Sequence, residues 1–292
     1  MSDLASVLRD GARRLAEAGV PTPEVDMDLL AAHVLGISRG ELAGRKITGT
    51  GLSGDQSSAL DALIARRAAR EPLQHITGIA HFRHLTLEVG PGVFVPRPET
   101  EMVAQLAIDA LAAVPGNPIA IDLGTGSGAI AIALATEVPH AEVHAVEVSA
   151  EAFVWAKLNA KRAGASNLTL HFGDLADAPD SLDGRVDVVV SNPPYIPEGM
   201  IPRDVEVRLH DPALALYGGP DGLDVVRTLE RSARRLLREG GFLVIEHAEI
   251  QGEQIRELLT AAGWRAPRTH PDLTGRPRAT TATLGVVSDT RL

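Results

Sequence analysis

The sequence has no cysteine, which excludes disulfides, thiolate metal sites and cysteine nucleophiles together. Aromatic residues make up only 3% of the chain. Proteins that take hold of unstacked bases rely on aromatic stacking surfaces, and this composition supplies few of them. Positive charge is in the minority, with 28 Lys and Arg against 38 Asp and Glu and a net charge of −10. Residues 1–75 are nearly balanced, 9 basic against 10 acidic, so the excess acidity lies downstream. That balance gives no broad grip on a polyphosphate backbone, and no direct nucleic-acid partner is expected. No stretch approaches the roughly 20 apolar residues of a membrane span. Met1-Ser2-Asp3-Leu4 is not a basic segment leading into an apolar run, so a cytoplasmic protein without membrane attachment is expected. Internal repeats and low-complexity tracts are also missing.

What is present is an ordinary globular composition, 45% apolar and 23% charged over 292 residues. That suffices for one large α/β domain or for a small domain joined to a larger one. Up to about residue 72 the pattern is helical, with Leu4, Val7, Leu8, Ala12 and Leu15 at spacings of three and four, as one buried helix face requires. Thr22-Pro23 reads as the N-cap and first-turn proline of a second helix that Gly36 ends. Ser53 reads as the cap of a third, with Leu60, Leu63 and Ile64 inward and Arg66, Arg67 and Arg70 outward. Those arginines are either a solvated face or a docking surface for an acidic partner. From 74 to 95 the texture turns to strand: Ile76-Thr77, Leu85-Thr86-Leu87 and Val93-Phe94-Val95, with Gly90-Pro91-Gly92 as the turn between the last two. His81 and His84 read as polar hairpin positions, and no metal site is expected. Beyond a helix at 99–113, strands at 119–123, 142–147, 168–172, 186–190, 242–246 and 280–286 alternate with helices from 128, at 149–163, 223–238 and 251–262. The organisation expected is therefore a helical domain at 1–75, a hairpin linker at 76–97 and an α/β domain at 98–292. Its mainly parallel sheet, covered on both faces, takes ligands at the carboxyl ends of the strands.

Two loops at such ends carry chemistry. After the first parallel strand comes Asp122-Leu123-Gly124-Thr125-Gly126-Ser127-Gly128, where glycines let the backbone turn tightly and approach a ligand closely. The spacing is not the dinucleotide pattern G-x-G-x-x-G, so an adenosyl ligand without a pyrophosphate fits better. Glu147 follows about 20 residues later, where a carboxylate can accept hydrogen bonds from both hydroxyls of a ribose; it can equally serve the start of the helix at Ser149. After the fourth strand, Ser191 runs into Asn192-Pro193-Pro194-Tyr195. Two prolines fix an extended backbone that offers carbonyl acceptors and no donors. Asn192 adds an amide oxygen and Tyr195 an aromatic wall, so the loop can hold a planar amino group by both of its hydrogens.

With these residues the chain resembles the class I adenosylmethionine-dependent methyltransferases that act on planar NH2 groups. Within them it is similar to the PrmC (HemK) family of release factor glutamine N5-methyltransferases. Glu71-Pro72-Leu73-Gln74-His75-Ile76-Thr77-Gly78 and Phe94-Val95-Pro96-Arg97-Pro98-Glu99-Thr100-Glu101 resemble segments specific to that family, and the likeness spans nearly the whole chain. The resemblance implies a Rossmann-like α/β methyltransferase domain with a mainly parallel sheet, preceded by a small helical domain that recognises the protein substrate. It implies S-adenosylmethionine as cofactor and, as substrate, the glutamine of the Gly-Gly-Gln motif in peptide chain release factors. Gly124, Thr125, Gly126, Ser127 and Gly128 would touch its methionine and ribose parts, Glu147 the ribose, and Asp174 with Leu175 the adenine region. Asn192, Pro193, Pro194 and Tyr195 would bind the glutamine amide, with Asn192, Pro193 and Tyr195 catalytic and Asn192 also beside the cofactor. Glu147 stands where aspartate is commoner and Leu175 where an aromatic is often found. His210-Asp211-Pro212 and Glu246-His247-Ala248 depart from the family pattern and are given no role. The alternatives are methylation of adenine N6 in DNA or RNA and of a ribosomal-protein glutamine; a non-catalytic binding module or adaptor is a rival of another class.

Overall fold

The computed structural model describes residues 4–49 and 51–285, so Met1-Ser2-Asp3 and the Val286 end of the last expected strand lie outside the described residues. The chain forms two compact units, Met1–Ile79 with Pro202–His210 and Ala80–Ile201 with Asp211–Leu292.

The first unit opens with helices α1 (Leu4–Glu17), α2 (Pro23–Leu35), α3 (Arg39–Thr48), α4 (Gly54–Ala68) and α5 (Leu73–Thr77). Leu4, Leu8, Leu15, Met27, Leu30, Leu42, Leu60 and Ile64 form its core, the face that the three-and-four spacing sets. Gly36 stops α2 at φ 62°, while Ser38 with Glu41 and Ser53 with Gln56 form reciprocal capping boxes that start α3 and α4. Thr22 does not cap α2 through its side chain; its hydroxyl donates instead to Asp26 Oδ1 at 2.8 Å. Ile76-Thr77 belongs to α5 rather than to a strand. An apolar run this short does not distinguish the two states by periodicity, and the flanking Pro72 and Gly78, the latter at φ 74°, bracket a helical turn.

The second unit begins with β1 (Ile79–Phe82) and β2 (Leu85–Glu88), a two-stranded sheet whose turn is Arg83-His84 and not Gly90-Pro91-Gly92. Arg83 takes φ 53°, and its tertiary contacts hold it there: its N–H donates to Glu101 Oε1 at 2.8 Å and its guanidinium to Glu137 Oε2 at 2.7 Å. His84 bonds Thr136 across 3.1 Å. Val93 and Val95 lie outside any ladder, buried with Val89 and Ala152.

Then follow α6 (Thr100–Ala112), β3 (Ile119–Leu123), α7 (Ala129–Glu137), β4 (Glu142–Glu147), α8 (Ala150–Ala163), β5 (Leu168–Phe172) and β6 (Val186–Ser191). The chain enters the first unit as α9 (Val205–His210) and returns as α10 (Asp224–Leu236), β7 (Leu237–Glu246), α11 (Gly252–Ala261), β8 (Arg265–Pro271) and β9 (Pro277–Thr283). The seven-stranded sheet has the order β5-β4-β3-β6-β7-β9-β8, and β9 runs opposite to the strands on either side of it. Along β3, Ala120 faces the core under α6 and α7 while Ile119, Ile121 and Leu123 face that under α10 and α11, the period-two alternation of a strand buried on both sides. The chain runs one way from β3 through β4 to β5 and the other way from β6 to β7, so strand order reverses between β3 and β6. Ligands bind at such switch points, outside the carboxyl ends of the strands. Among the described residues no helix is long and apolar enough to cross a membrane.

Candidate active site

The loop after β3 lines one side of the switch point. Gly124 and Gly126 sit at φ 80° and 59°, a region that only glycine enters without strain. A Cβ on either would meet nothing within 4 Å, so both flank open space. Gly128 has a different task, since a Cβ there would come within 2.9 Å of Ile132 Cδ1, inside the packing of α7. Thr125 turns its hydroxyl inward to donate to Asp122 Oδ2 at 2.6 Å. The Ser127 carbonyl accepts from Asn159 Nδ2 at 2.9 Å, which fixes the backbone at the end of the loop. Asp122 Oδ1 is buried with no hydrogen-bond partner among the described residues, and burial pushes this carboxyl up to about 7.

Glu147, buried at the end of β4, accepts from the Gly126 N–H at 2.7 Å with one oxygen and from the Ser149 N–H at 2.8 Å with the other. The carboxylate thus braces the glycine loop and starts α8 at once, and each oxygen keeps a lone pair for a hydroxyl. The Gly173 N–H donates to the Glu147 carbonyl at 3.0 Å, which brings Asp174 and Leu175 to the same edge. Asp174 Oδ1 accepts from the Ala176 N–H at 2.8 Å, and Leu175 is half-buried against the α10 side of the core.

The loop after β6 lines the other side. The Ser191 hydroxyl donates to the Leu123 carbonyl at 2.6 Å, tying the ends of β3 and β6 together. Asn192 is half-buried, and its Nδ2 donates to Thr100 Oγ1 at 3.4 Å. The loop is then clamped from behind: Ile196 donates to the Leu216 carbonyl at 2.8 Å, and the Gly218 N–H donates to the Ile196 carbonyl at 2.9 Å. A Cβ on Gly218 would fall 2.5 Å from the Pro194 carbonyl oxygen, and one on Gly222 would fall 2.4 Å from that of Tyr195. Buried Gln251 donates to the same Tyr195 carbonyl at 2.9 Å and accepts from the Ala248 N–H at 2.9 Å. Burial pushes the Tyr195 phenol up to about 12, so it stays a neutral hydroxyl.

Sequence reasoning missed this supporting set. Thr100 lies in the Pro-Arg-Pro-Glu-Thr-Glu segment and Gly218 and Gly222 in a glycine-dense one, so each signal was visible while its partner in space was not. Arg97 donates to Asp211 Oδ2 at 2.8 Å and lies 5.1 Å from the Phe94 ring centroid. His247 is fully buried, bonded to the Ala248 carbonyl at 2.8 Å and to Thr280 Oγ1 at 2.9 Å, a structural histidine. Glu246 beside it is also buried; burial pushes its carboxyl up to about 7, against the opposing pull of the neighbouring Thr100 hydroxyl.

Comparison with known proteins agrees with this architecture. Residues 6–78 match the PrmC N-terminal domain and residues 117–266 a methyltransferase domain. The chain is 51% identical to the release factor glutamine methyltransferase of Streptomyces coelicolor, over 97% of this chain and 98% of that protein. It is 46% identical to that of Mycolicibacterium smegmatis, over 97% and 98%. A solved methyltransferase from Pyrococcus furiosus superposes with a TM-score of 0.52 at 22% identity, covering 78% of this chain and all of that one, and shares the fold.

Proposed function

The chain belongs to the release factor glutamine methyltransferase family, and from that premise we propose that it methylates the side-chain amide nitrogen of glutamine in the Gly-Gly-Gln motif of peptide chain release factors, with S-adenosylmethionine as donor. The observation that carries the reading is the pairing of the glycine loop with Asn192-Pro193-Pro194-Tyr195 at one switch point, locked by the Ser191 to Leu123 bond.

The residues present fit the cofactor. Gly124 and Gly126 border open space, and the orphaned Asp122 Oδ1 lies beneath them. The backbone of Gly124, Thr125, Gly126, Ser127 and Gly128 would hold the methionine and ribose parts, Glu147 the ribose hydroxyls, and Asp174 with Leu175 the adenine region. When bound, the cofactor supplies a methyl group made electrophilic by its sulfonium. A primary amide nitrogen is a weak nucleophile because its lone pair is delocalised, so the protein's task is orientation, which contributes up to roughly 7–11 kcal/mol in favourable cases. Asn192 Oδ1 and the Pro193 carbonyl would each accept one amide hydrogen, fixing the nitrogen and shifting charge onto it. The Tyr195 ring would set the plane of the amide; its phenol, neutral to about 12, is no base, and the proton is left to water after attack.

The test is mass spectrometry after incubating the enzyme and methyl-labelled S-adenosylmethionine with a release factor, ribosomal proteins and total nucleic acid. Label on the Gly-Gly-Gln glutamine is expected. Label in adenine or in a ribosomal protein, with none in the release factor, would overturn the assignment.

A further inference from the structure

We propose that Thr100 and Glu246 are positioning residues: Thr100 relays the buried Glu246 carboxylate to the Asn192 side chain and so fixes which end of that amide faces the substrate. The inference rests on the reading of Asn192 as an acceptor for the substrate amide.

The three residues are far apart in sequence and meet through the fold. Glu246 closes β7, one step beyond Ile245, which pairs with Ser191; it therefore ends level with Asn192 on the neighbouring strand. Thr100 is the first residue of α6 and is 3% exposed, its backbone held by a 3.1 Å bond from its N–H to the Arg97 carbonyl. Its hydroxyl accepts from Asn192 Nδ2 at 3.4 Å and lies beside the Glu246 carboxyl, which it helps to hold ionised against burial. The relay assigns the Thr100 proton to that carboxylate.

A hydroxyl has one proton. With that proton directed to a carboxylate, Thr100 offers Asn192 only lone pairs, and of the two ends of an asparagine amide only the NH2 can use them. The planar amide then presents Oδ1 on its opposite side. Without the relay nothing in this set prevents the amide from turning over, and a flipped Asn192 would set its own NH2 against the NH2 of the substrate, two donors with no acceptor between them. The second oxygen of Glu246, Oε2, is buried and has no hydrogen-bond partner among the described residues. A buried carboxylate oxygen without a partner is unfavourable, and Val244 and Ile245 before it are apolar and fully buried. A carboxylate there makes sense as an obligate acceptor, not as packing.

The experiment is a double-mutant cycle in the full-length enzyme, read as single-turnover methylation of a release factor at saturating cofactor. Asn192→Ala should lower the rate about a hundredfold or more, as loss of one preorganised contact does. Thr100→Val, which keeps the shape and removes the hydroxyl, should lower it about tenfold to a hundredfold in the native background. In the Asn192→Ala background it should change nothing, since no amide is left to orient. Thr100→Ser should restore the rate, Glu246→Gln should retain most of it through its amide oxygen, and cofactor affinity should stay constant in these Thr100 and Glu246 variants. If Asn192→Ala collapses turnover while Thr100→Val does not, the relay is wrong and the reading of Asn192 survives. Near-normal methylation by Asn192→Ala would remove the reading itself. Equal losses from Thr100→Val in both backgrounds would show a packing role and overturn the relay. Should Thr100→Val not fold, Glu246→Leu cuts the same link from its other end and enters the same cycle.

Discussion

Two buried carboxyls, Asp122 near the end of β3 and Glu246 at the end of β7, are both pushed up to about 7, chiefly by burial. They titrate in the same range but in different places, so their effects separate. Below about 7 Glu246 takes up a proton and can itself donate to Thr100, releasing the Thr100 proton toward Asn192 and undoing the orientation. Above it the carboxylate accepts and the orientation holds. Glu246 faces Thr100 and Glu99 at the start of α6, Tyr195 in the loop and Arg278 on β9; an arginine keeps its charge over this range, and the Tyr195 phenol stays neutral. Turnover at saturating cofactor should therefore rise with pH through about 7, and Glu246→Gln, which cannot titrate, should flatten that rise; profiles of identical shape would count against it. Asp122 lies under the glycine loop, so its protonation should appear in cofactor affinity instead. Glu246 also shows where sequence reading stops at this scale. The glycine loop and Asn192 to Tyr195 are legible because each is a contiguous motif whose residue types state their chemistry. Thr100, Glu246 and Gln251 act on that motif from three other elements, and only the fold brings them to it.

Among elements, α4 and α9 depart furthest from the sequence reading. The helical period of α4 was readable, but the direction of its arginines was not, because outwardness was judged against α4 alone. Arg67 is 3% exposed, paired with Asp26 at 2.7 Å and with Glu206 of α9 at 2.7 Å. Arg70 pairs with the same Glu206 at 3.0 Å and donates to the Gly19 carbonyl at 2.8 Å; only Arg66, joined to Glu71, keeps a largely solvated site. Two of the three arginines thus hold the returning segment 202–210 in the first unit, where a solvated face or an acidic-partner surface was expected. The hairpin misreading has the same origin: Gly90-Pro91-Gly92 is a turn signal by composition, yet the contacts of Arg83 with Glu101 and Glu137 fix the turn elsewhere. The three arginine sites should rank clearly in stability. Arg67→Ala strands a buried Asp26 and should cost about 3–5 kcal/mol. Glu206→Gln keeps an acceptor and should cost about 1–2 kcal/mol, while Arg66→Ala removes a solvated pair and should cost at most about 1 kcal/mol. Urea unfolding of the full chain measures all three, and an Arg66→Ala loss equal to that of Arg67→Ala would refute the ranking.

On the scale of the whole chain, the two units differ in what their cores contain. The core of the second carries both loops of the proposed site: Leu123 anchors Ser191, and Glu147 braces the glycine loop. The core of the first is built from α1 to α5 and holds none of the residues assigned to the cofactor. The unit boundary nevertheless cuts the chain just beyond the Asn192–Tyr195 loop, since the chain leaves the second unit at Ile201 and re-enters it at Asp211. An enzyme lacking residues 1–78 would keep both faces of the sheet covered and the glycine loop braced, so its affinity for S-adenosylmethionine should stay within about twofold, under roughly 0.4 kcal/mol. The same truncation removes Arg67 and Arg70, so Glu206 loses both of its arginine partners. If the helical unit recognises the release factor, docking is lost as well. Methylation of a whole release factor should then fall at least a hundredfold, in kcat/KM more than in kcat. Glu206→Gln in the full chain, which loosens the segment while keeping the helices, should reproduce only a small part of that loss. Calorimetric titration of the cofactor beside steady-state methylation of the intact release factor separates the two effects, and a truncated enzyme that methylates the whole factor as fast as the full chain would remove the helical unit from substrate recognition.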